Sequence, residues 1–226
     1  MAGAKKTFRI LGLADLHDRI EMLDRLKEID VDLIAFCGDL HNAGSRETAQ
    51  PAALALASLG PPVLIVPGNM DHRDVVPDLW NEAGLLMLHR SSFRFADLGF
   101  LGMGGMVAKD PRRLGDPARY YHRDEEVYET LARSYQDISD ARTKIVVVHQ
   151  PPRDAQDTLY NGESSGSVSL RRFVEEYQPA LLLCGHIHEA WGECHIGSTR
   201  IVNVGELRRG FASIIEIADE ITVNWI

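Results

Sequence analysis

Short apolar runs, each ending abruptly in a polar or glycine-containing cluster, constrain the fold of this sequence most. The runs are about four to eight residues long, which is a typical strand length. Because apolar residues follow one another without a polar alternation, we expect strands that are buried on both faces of a sheet. The runs are residues 8–14, 31–37, 63–66, 145–148 and 180–184.

Patterns typical of helices separate the runs. Apolar side chains recur there at helical intervals, and Ser167 stands where it can cap the last of these segments. Strands that alternate with helices indicate a largely parallel sheet with right-handed crossovers. The predicted helices cover residues 20–29, 53–57, 127–138 and 170–177.

The sequence after His188 changes to short strands without helices between them. Turn signals at residues 197–198 and 219–220 predict that this part forms an antiparallel meander. An earlier segment has the same character, so antiparallel pairing is expected there too. The strands in question are residues 191–196, 200–204, 211–217 and 221–225, and the earlier segment comprises residues 93–95 and 100–103.

Two sheets, each covered by helices, account for the mixture of parallel and antiparallel signals. The composition, 45% hydrophobic and 25% charged, is that of a globular protein, and no linker or repeat divides the chain. We therefore predict a single α/β domain over residues 1–226. Its irregular part is the loop 102–123, which carries several Lys and Arg residues in an otherwise acidic chain and is predicted to be an active-site lid.

Charge and cysteine content exclude several classes of protein. The formal net charge of −9 argues against a protein that coats long nucleic acid or an anionic membrane. No apolar run approaches the roughly 20 residues of a membrane span, and no apolar leader follows the N-terminal lysines. The three cysteines are odd in number and two lie in apolar runs, which is typical of free thiols, so we predict a cytoplasmic location.

Residues of the kinds that bind metal ions follow all five apolar runs. In an α/β sheet, ligands bind beyond the carboxyl ends of the strands, so these residues are expected to meet. Strand alternation is expected to put Asp15 and His17 on one face, and His186 and His188 likewise. The five clusters are Asp15-Leu16-His17, Gly38-Asp39, Gly68-Asn69, His149 and Gly185-His186-Ile187-His188.

Together the clusters supply two carboxylates, one amide and four imidazoles. Mixed nitrogen and oxygen ligands suit transition metals better than Ca or Mg alone. Seven ligands exceed the need of one ion, whereas two ions that share a bridging carboxylate use them all, as in two-metal phosphoryl chemistry. The sequence therefore predicts a site for two divalent ions, with manganese preferred and Fe, Zn, Ni or Co as alternatives.

The ordered series of clusters resembles the calcineurin-like metallophosphoesterase superfamily. It covers nearly the whole chain, and residues 166–176, 178–179 and 184–189 further resemble a small single-domain prokaryotic branch. The resemblance implies a four-layer αββα sandwich of two mixed β-sheets flanked by helices, with the metal site at the C-terminal ends of the strands. The matching series is Asp15-x-His17, Gly38-Asp39, Gly68-Asn69-x-Asp71, His149 and Gly185-His186-x-His188.

The resemblance also implies how the ligands divide between two ions. A hydroxide that bridges the ions is expected to attack phosphorus in line with the leaving oxygen of a small phosphate ester, either a monoester or a diester. One ion is held by Asp15, His17, Asp39 and His188, and the other by Asp39 as the bridge, Asn69, His149 and His186.

One position departs from the family pattern. The motif usually reads Gly-Asn-His-Asp, and its histidine is taken to protonate the leaving group or to steady the phosphate, but this chain has Met70, whose thioether cannot donate a proton. This difference leaves three alternatives. The enzyme prefers good leaving groups, or it has low activity, or another residue serves as the acid. His72 and His41 are the nearest candidates in sequence. Asn69 is expected to orient a phosphate oxygen as well as to bind its ion, and Asp71 to hydrogen-bond a ligand imidazole.

Two other functions are weighed against a phosphoesterase. A nuclease would need a basic groove or a stacking platform, which the net acidity and the 7% of aromatic residues disfavour. A non-catalytic or weakly active metal-binding interaction module, as in the retromer-subunit branch, would lack ligands, whereas all seven positions are filled and only Met70 favours it. The predicted partner is a small phosphate ester, which arginines of the loop 102–123 are expected to clamp. Extended nucleic acid and membranes are not expected as partners. A homodimer is left open.

Overall fold

The computed structural model describes residues 7–42 and 44–226, so the start of the predicted domain and the lysine-containing N-terminal segment lie outside the described residues. Within the described ranges the chain forms fourteen strands. In chain order they are β1 (Phe8–Leu13), β2 (Leu33–Phe36), β3 (Val63–Ile65), β4 (Leu86–Met87), β5 (Ser91–Phe95), β6 (Leu98–Met103), β7 (Met106–Val107), β8 (Tyr121–His122), β9 (Thr143–Val148), β10 (Leu181–Cys184), β11 (Gly192–Ile196), β12 (Thr199–Asn203), β13 (Ser213–Ile217) and β14 (Ile221–Trp225).

Four α-helices and four 3₁₀ helices connect these strands in the described part of the chain. Ser167 caps the last α-helix as predicted, because its Oγ accepts a hydrogen bond from the backbone N–H of Leu170 at 3.0 Å. The α-helices are α1 (Arg46–Ala57), α2 (Val76–Glu82), α3 (Asp124–Asp137) and α4 (Val168–Tyr177), and the 3₁₀ helices are Ile20–Leu26, Pro111–Gly115, His188–Ala190 and Leu207–Arg209.

The predicted first helix and the unpredicted α2 show where helical periodicity is a weak guide. Residues 20–29 were expected to be helical, and they form the 3₁₀ helix Ile20–Leu26. A three-residue apolar spacing matches the three residues per turn of a 3₁₀ helix better than the α-helical period. The α2 helix has only seven residues, so it is too short to display a periodic pattern.

Two six-stranded mixed sheets confirm the predicted fold class. The first has the order β14-β13-β1-β2-β3-β4, and the second has the order β11-β12-β10-β9-β6-β5. In each sheet four adjacent strands are parallel. Antiparallel pairing joins β13 to both β1 and β14 in the first sheet and attaches the edge strands β11 and β5 in the second. The expected hairpin β5–β6 is present.

The prediction that the C-terminal strands form one antiparallel meander is wrong. The hairpin β11–β12 belongs to the second sheet, where β12 lies parallel to β10, and the hairpin β13–β14 belongs to the first sheet, where β13 lies antiparallel to β1. Turn signals identify each hairpin, but they carry no information on which sheet a hairpin joins. The chain therefore crosses from one sheet to the other between β12 and β13.

Three apolar layers hold the helices and sheets together. Alternate residues of each central strand point to opposite layers, so Ile10 packs between the two sheets while Leu11 packs against the helices. The layer between the sheets includes Phe100 and Val147, and the layer under α3 and α4 includes Leu131 and Phe173. This arrangement is the predicted succession of helices, sheet, sheet and helices, and it explains why the strands lack polar alternation.

The loop 102–123 is fixed to the chain that follows β3. It contains the short parallel pair β7–β8 and the 3₁₀ helix Pro111–Gly115. Backbone hydrogen bonds join Gly105 N–H to Pro67 O at 2.7 Å and Arg73 N–H to Ala118 O at 2.9 Å. None of the helices in the described ranges combines the length and the apolar character that crossing a membrane requires.

Candidate metal centre

The structure brings the five predicted clusters together at one edge of the sandwich. Asp15, Asp39 and Asn69 follow β1, β2 and β3 of the first sheet, while His149 and His186 follow β9 and β10 of the second. The carboxyl ends of parallel strands meet at one sheet edge, and both sheets present that edge to the same place. The centre therefore lies across the junction between the two sheets.

Several candidate ligands at this edge have backbone angles in the left-handed region. Four of the seven predicted ligands have positive φ angles, namely Asp15 (56°), His17 (49°), Asp39 (56°) and His186 (66°). Residues other than glycine rarely adopt this conformation, which costs about 1–3 kcal/mol each and is concentrated at functional sites. Asp15 and His17 come together through this turn beyond the end of β1, and not through the strand alternation that the sequence suggested.

One group of candidate ligands comprises Asp15, His17 and His188, whose ligand atoms all lie within 4.8 Å of one another. The Oδ1 atom of Asp15 is 3.3 Å from Nε2 of His188 and 3.8 Å from Nε2 of His17. Asp15 Oδ1 and His17 Nε2 are buried, and neither has a hydrogen-bond partner among the described residues. Because buried polar atoms without partners are costly, these two atoms fit a bound cation.

A second group surrounds His149. Its Nε2 atom lies 3.4 Å from Oδ2 of Asp39 and 3.1 Å from Oδ1 of Asn69, and its ring centroid is 4.8 Å from that of His186. The same Oδ2 atom of Asp39 is 3.9 Å from Nε2 of His17. Asp39 thus lies near both groups, as a bridging ligand would, and ligand atoms of Asp15, Asp39 and His149 also lie within 4.8 Å of one another.

Two of the histidines are oriented by hydrogen-bond acceptors at Nδ1, and a third has a carboxylate beside its Nδ1. An acceptor at Nδ1 keeps the proton on that nitrogen and leaves the Nε2 lone pair for a metal ion, so these partners set the tautomer that ligation requires. In each case Nε2 faces the other candidate ligands. The Nδ1 partners are Asn42 Oδ1 for His17 at 2.8 Å, the Cys37 carbonyl for His149 at 2.7 Å and Glu206 Oε2 for His188 at 3.4 Å.

Buried negative charge dominates the electrostatics of the centre. Asp15, Asp39 and Glu206 are each at most 3% exposed. Burial by itself favours the neutral carboxyl, but the interactions with His149, His17 and the Met70 amide outweigh it and lower the pKa of Asp39 to about 2. Burial likewise opposes protonation of His149, yet Asp39 and Asp15 raise the pKa of His149 to about 9. The centre therefore attracts positive charge, as a site for divalent ions should.

Two supporting residues were missed by the sequence analysis. Glu206 is 1% exposed, and it forms ion pairs with His188 and Arg208. It follows Gly205 at the end of β12, in the same way that Asp39 follows Gly38, and this Gly-acid signal could have identified it. Asn42 carries no such signal, because its approach to His17 depends on the tertiary fold.

Asp71 supports the centre differently from the prediction. A hydrogen bond to a ligand imidazole was expected, but the carboxylate accepts backbone N–H groups of Gly68 at 2.7 Å, Asp39 at 3.0 Å and His41 at 2.9 Å. Its side chain is fully buried, and burial raises the pKa of Asp71. It thereby ties the loop after β2 to the loop after β3, which holds Asp39 and Asn69 in their relative positions.

The two histidines predicted as surrogate acids occupy different environments. His41 is fully buried, and its Nε2 accepts a hydrogen bond from the indole N–H of Trp80 at 3.0 Å. In this position it cannot touch a substrate. His72 is half-buried, and its Nδ1 accepts the backbone N–H of Asp74 at 3.3 Å, so the Nε2 atom carries the proton when the ring is neutral.

The arginines of the loop 102–123 differ in what they contact. Arg112 pairs with Asp110 of the same loop at 2.7 Å, and Arg113 donates to the Tyr121 hydroxyl at 2.8 Å. Arg119 instead donates to the backbone carbonyl of Met70. The loop therefore brings one guanidinium directly to the residue that follows Asn69.

Comparisons with known proteins agree with this fold. The sequence profile described as calcineurin-like phosphoesterase matches residues 8–190. An uncharacterized protein of Methanocaldococcus jannaschii is 29% identical over 203 residues, which cover 88% of each chain. A Thermus thermophilus structure is similar with a TM-score of 0.74 and 18% identity, covering 97% of this chain and 99% of that one. A dimetal phosphatase from Danio rerio is similar with a TM-score of 0.61 and 10% identity, covering 96% and 95% of the two chains.

Proposed function

This chain belongs to the calcineurin-like phosphoesterase family and is a metal-dependent hydrolase, and we propose that it cleaves a small phosphate ester at the centre between its two sheets. The single observation that carries this proposal is the pair of buried atoms Asp15 Oδ1 and His17 Nε2, which have no hydrogen-bond partner in the described part of the chain and lie near His188 and buried carboxylates. Such a donor set fits divalent transition metals, and manganese is the ion we propose.

The proposed ligands are divided into two sets with Asp39 in common. Two histidines with hydrogen bonds at Nδ1, a third beside the Glu206 carboxylate, and two buried carboxylates form most of the set. Divalent ions bound there would supply Lewis acidity toward phosphoryl oxygens and make water nucleophilic near neutral pH. We assign one ion to Asp15, His17, Asp39 and His188, and the other to Asp39, Asn69, His149 and His186.

The surrounding residues position the substrate and the ligands. Asn69 directs its carboxamide oxygen toward His149 and the centre, which leaves the amide N–H groups to orient a phosphate oxygen. Asp71 keeps the loops of Asp39 and Asn69 in register through three backbone amides. Of the two histidines predicted as surrogate acids, His72 is half-buried and keeps some exposed surface, whereas His41 is fully buried.

The proposed partner is a small molecule, without extended nucleic acid or a membrane. The net charge of −9 supports this choice, because a surface that is acidic overall does not attract a polyanion. A cytoplasmic location is proposed as well, and it is supported by Cys37, Cys184 and Cys194, which are all free thiols. Monoesters and diesters both remain within the proposal.

Metal analysis combined with hydrolysis of bis(4-nitrophenyl) phosphate and 4-nitrophenyl phosphate tests this function. The protein loaded with Mn²⁺ should bind about two ions and hydrolyse at least one of the two esters, and the variant Asp39→Asn should lose both properties. Glu193→Gln, on the exposed edge strand β11, is the matched control and should retain them. Neither bound metal nor turnover in the wild type would refute the proposal and favour a non-catalytic module.

A further inference from the structure

Hydrogen bonds hold the backbone of Met70 at both its N–H and its carbonyl. Its N–H donates to Oδ1 of Asp39 at 2.7 Å, and its carbonyl accepts from the guanidinium of Arg119. Met70 occupies the position where the family pattern has a histidine, directly after Asn69. The guanidinium of Arg119 therefore lies beside the residue that replaces the histidine of the family pattern.

Arg119 is held there by the fold and not only by its own side chain. The backbone carbonyl of Ala118 accepts the N–H of Arg73 at 2.9 Å, and the Arg73 guanidinium lies 5.6 Å from the ring centroid of Tyr120. The backbone carbonyl of Tyr120 in turn accepts the N–H of Met106 at 3.0 Å. Both neighbours of Arg119 are thus fixed, so its guanidinium is preorganised beside the centre.

The charge of Arg119 is not neutralised by the protein. Among the described residues no carboxylate forms an ion pair with it, whereas Arg112 of the same loop pairs with Asp110. One N–H group binds the Met70 carbonyl, and a guanidinium has five N–H donors in a planar fork. The remaining donors suit an anionic oxygen, because guanidinium–phosphate contacts are strong and directional.

We propose that Arg119 is a catalytic residue that binds the leaving oxygen of the substrate and stabilises it by charge, in place of protonation by an acid. This inference rests on the proposed function. It also names the substrate class, namely phosphate esters whose leaving group is a stable anion near neutral pH, such as an aryl, enol or phosphoryl oxygen.

The chemistry of the step explains this choice of substrate. The oxygen of water forms a bond to phosphorus as the bond from phosphorus to the leaving oxygen breaks, and the leaving oxygen keeps the bonding electron pair. The two protons of the water pass to solvent or to the product phosphate. An arginine does not give up its proton near neutral pH, so the leaving oxygen departs as an anion, which Arg119 stabilises. An alkoxide, whose conjugate acid has a pKa near that of water at about 15.7, departs poorly under these conditions.

A series of methyl aryl phosphodiesters, whose phenols differ in pKa, tests the proposal with Mn²⁺-loaded full-length protein. For the wild type, kcat/KM should fall as the phenol becomes less acidic. In Arg119→Ala the fall should be steeper, with a loss of about 100-fold for the least acidic phenol and a smaller loss for the most acidic. Arg119→Lys should recover part of the loss, and Arg133→Ala, at an exposed position on α3, should match the wild type.

Binding of inorganic phosphate to the Mn²⁺-loaded protein gives a readout that does not depend on turnover. Calorimetry should show phosphate binding weakened about tenfold in Arg119→Ala, with the metal content unchanged. A merely structural role would lower kcat/KM by the same factor for every ester, and it would overturn the proposal. A wild-type rate that does not depend on the phenol pKa would overturn it too, because it would reveal a proton donor. If the wild type hydrolyses no ester, the proposed function itself fails.

Discussion

Single side chains outside the ligand set determine how the ligands point. Glu206 is the clearest case, because it is buried at the Nδ1 side of His188 and pairs with Arg208. A carboxylate in this position fixes the tautomer and the orientation of a metal-binding imidazole. Its influence should therefore appear in metal affinity before it appears in the chemical step.

We expect Glu206→Gln to weaken Mn²⁺ binding about 10- to 100-fold, because the amide is a poorer acceptor for the His188 Nδ1–H than the carboxylate is. Calorimetric titration of the metal-free protein with Mn²⁺ measures this change. Glu193→Gln removes an exposed carboxylate that pairs with Arg200 at 3.4 Å, and it serves as the matched control. Equal Mn²⁺ affinity in the two variants would contradict an orienting role for Glu206.

Asp71 should matter for stability, since its carboxylate accepts three buried backbone N–H groups. Asp71→Asn replaces one acceptor oxygen by an NH₂ group that faces those donors, and we expect a loss of about 3 kcal/mol in the free energy of unfolding. Urea unfolding of the metal-free protein measures the loss. Asp74→Asn, at an exposed position in the same loop, should change stability by no more than about 0.5 kcal/mol.

The candidate ligands were predictable from the sequence, whereas their supporting partners were not. Each ligand follows an apolar run, and the sheet architecture brings strand ends together, so spacing and residue type were sufficient. Asn42 and the Cys37 carbonyl act through contacts between distant parts of the chain, which no local pattern encodes. Glu206 has a local Gly-acid signal, but its contact with His188 depends on the fold. Asp71 was identified, but its partners were wrong, because its carboxylate binds backbone groups, which are present at every position.

The tight turns after the strands depend on how neighbouring loops pack against one another. A Cβ atom on Gly68 would lie 1.9 Å from Oδ1 of Asp39 and 2.4 Å from its backbone nitrogen. A Cβ atom on Gly185 would lie 2.6 Å from Oδ2 of Asp15. The loops after β1, β2, β3 and β10 therefore pack against one another so closely that glycine is required where they touch.

Gly68→Ala should destabilise the protein by about 1–3 kcal/mol and prevent normal Mn²⁺ binding, because Asp39 must move to make room for the methyl group. Thermal unfolding and metal analysis measure the two effects. Gly115→Ala is the control, since nothing lies within 4 Å of a Cβ atom there and its backbone is not left-handed. A Gly68→Ala protein with unchanged metal content would show that the loops tolerate more movement than their packing indicates.

The local sequence patterns did not reveal which of the two sheets each C-terminal hairpin joins. Apolar runs and turn signals identified the strands and hairpins well, because these depend on neighbouring residues. Whether β13 follows β12 in the same sheet depends on which apolar face each hairpin buries, and the alternation in both hairpins is alike. The pairing of β13 with β1 became visible only with the structure.

At the scale of the whole molecule, two buried histidines link stability to pH. Neutral His122 donates from Nε2 to the Gly104 carbonyl at 2.7 Å, while its Nδ1 accepts from Arg90 at 3.1 Å. His89 Nδ1 accepts the Gly104 N–H at 3.0 Å. Burial, together with the positive charge of Arg90, overcomes the effect of the Gly104 carbonyl and of Glu126 and lowers the pKa of His122 to about 4.

The pKa of His122 is lower in the folded protein than the ordinary value of about 6.5, so the unfolded chain binds a proton first as the pH falls. His122 should therefore have its full stabilising effect above about pH 6.5 and lose about 3 kcal/mol as the pH falls to about 4. Urea unfolding across this range measures the loss. His122→Gln should lack this part of the pH dependence, and His195→Gln, on an exposed hairpin, should keep it. Parallel pH profiles for all three proteins would contradict the assignment.

The position of β1 between β2 and β13 has a consequence for how the protein is made. Asp15 and His17 are encoded near the start of the chain, but the backbone of this segment is held by residues from its other end: Leu207 N–H binds Ala14 O at 2.9 Å, and Arg208 N–H binds Asp15 O at 3.0 Å. Domains form as units while the chain leaves the ribosome from its N-terminus. The metal-binding edge is therefore completed only after the segment around Leu207 has been synthesised, and we expect metal uptake to follow that step.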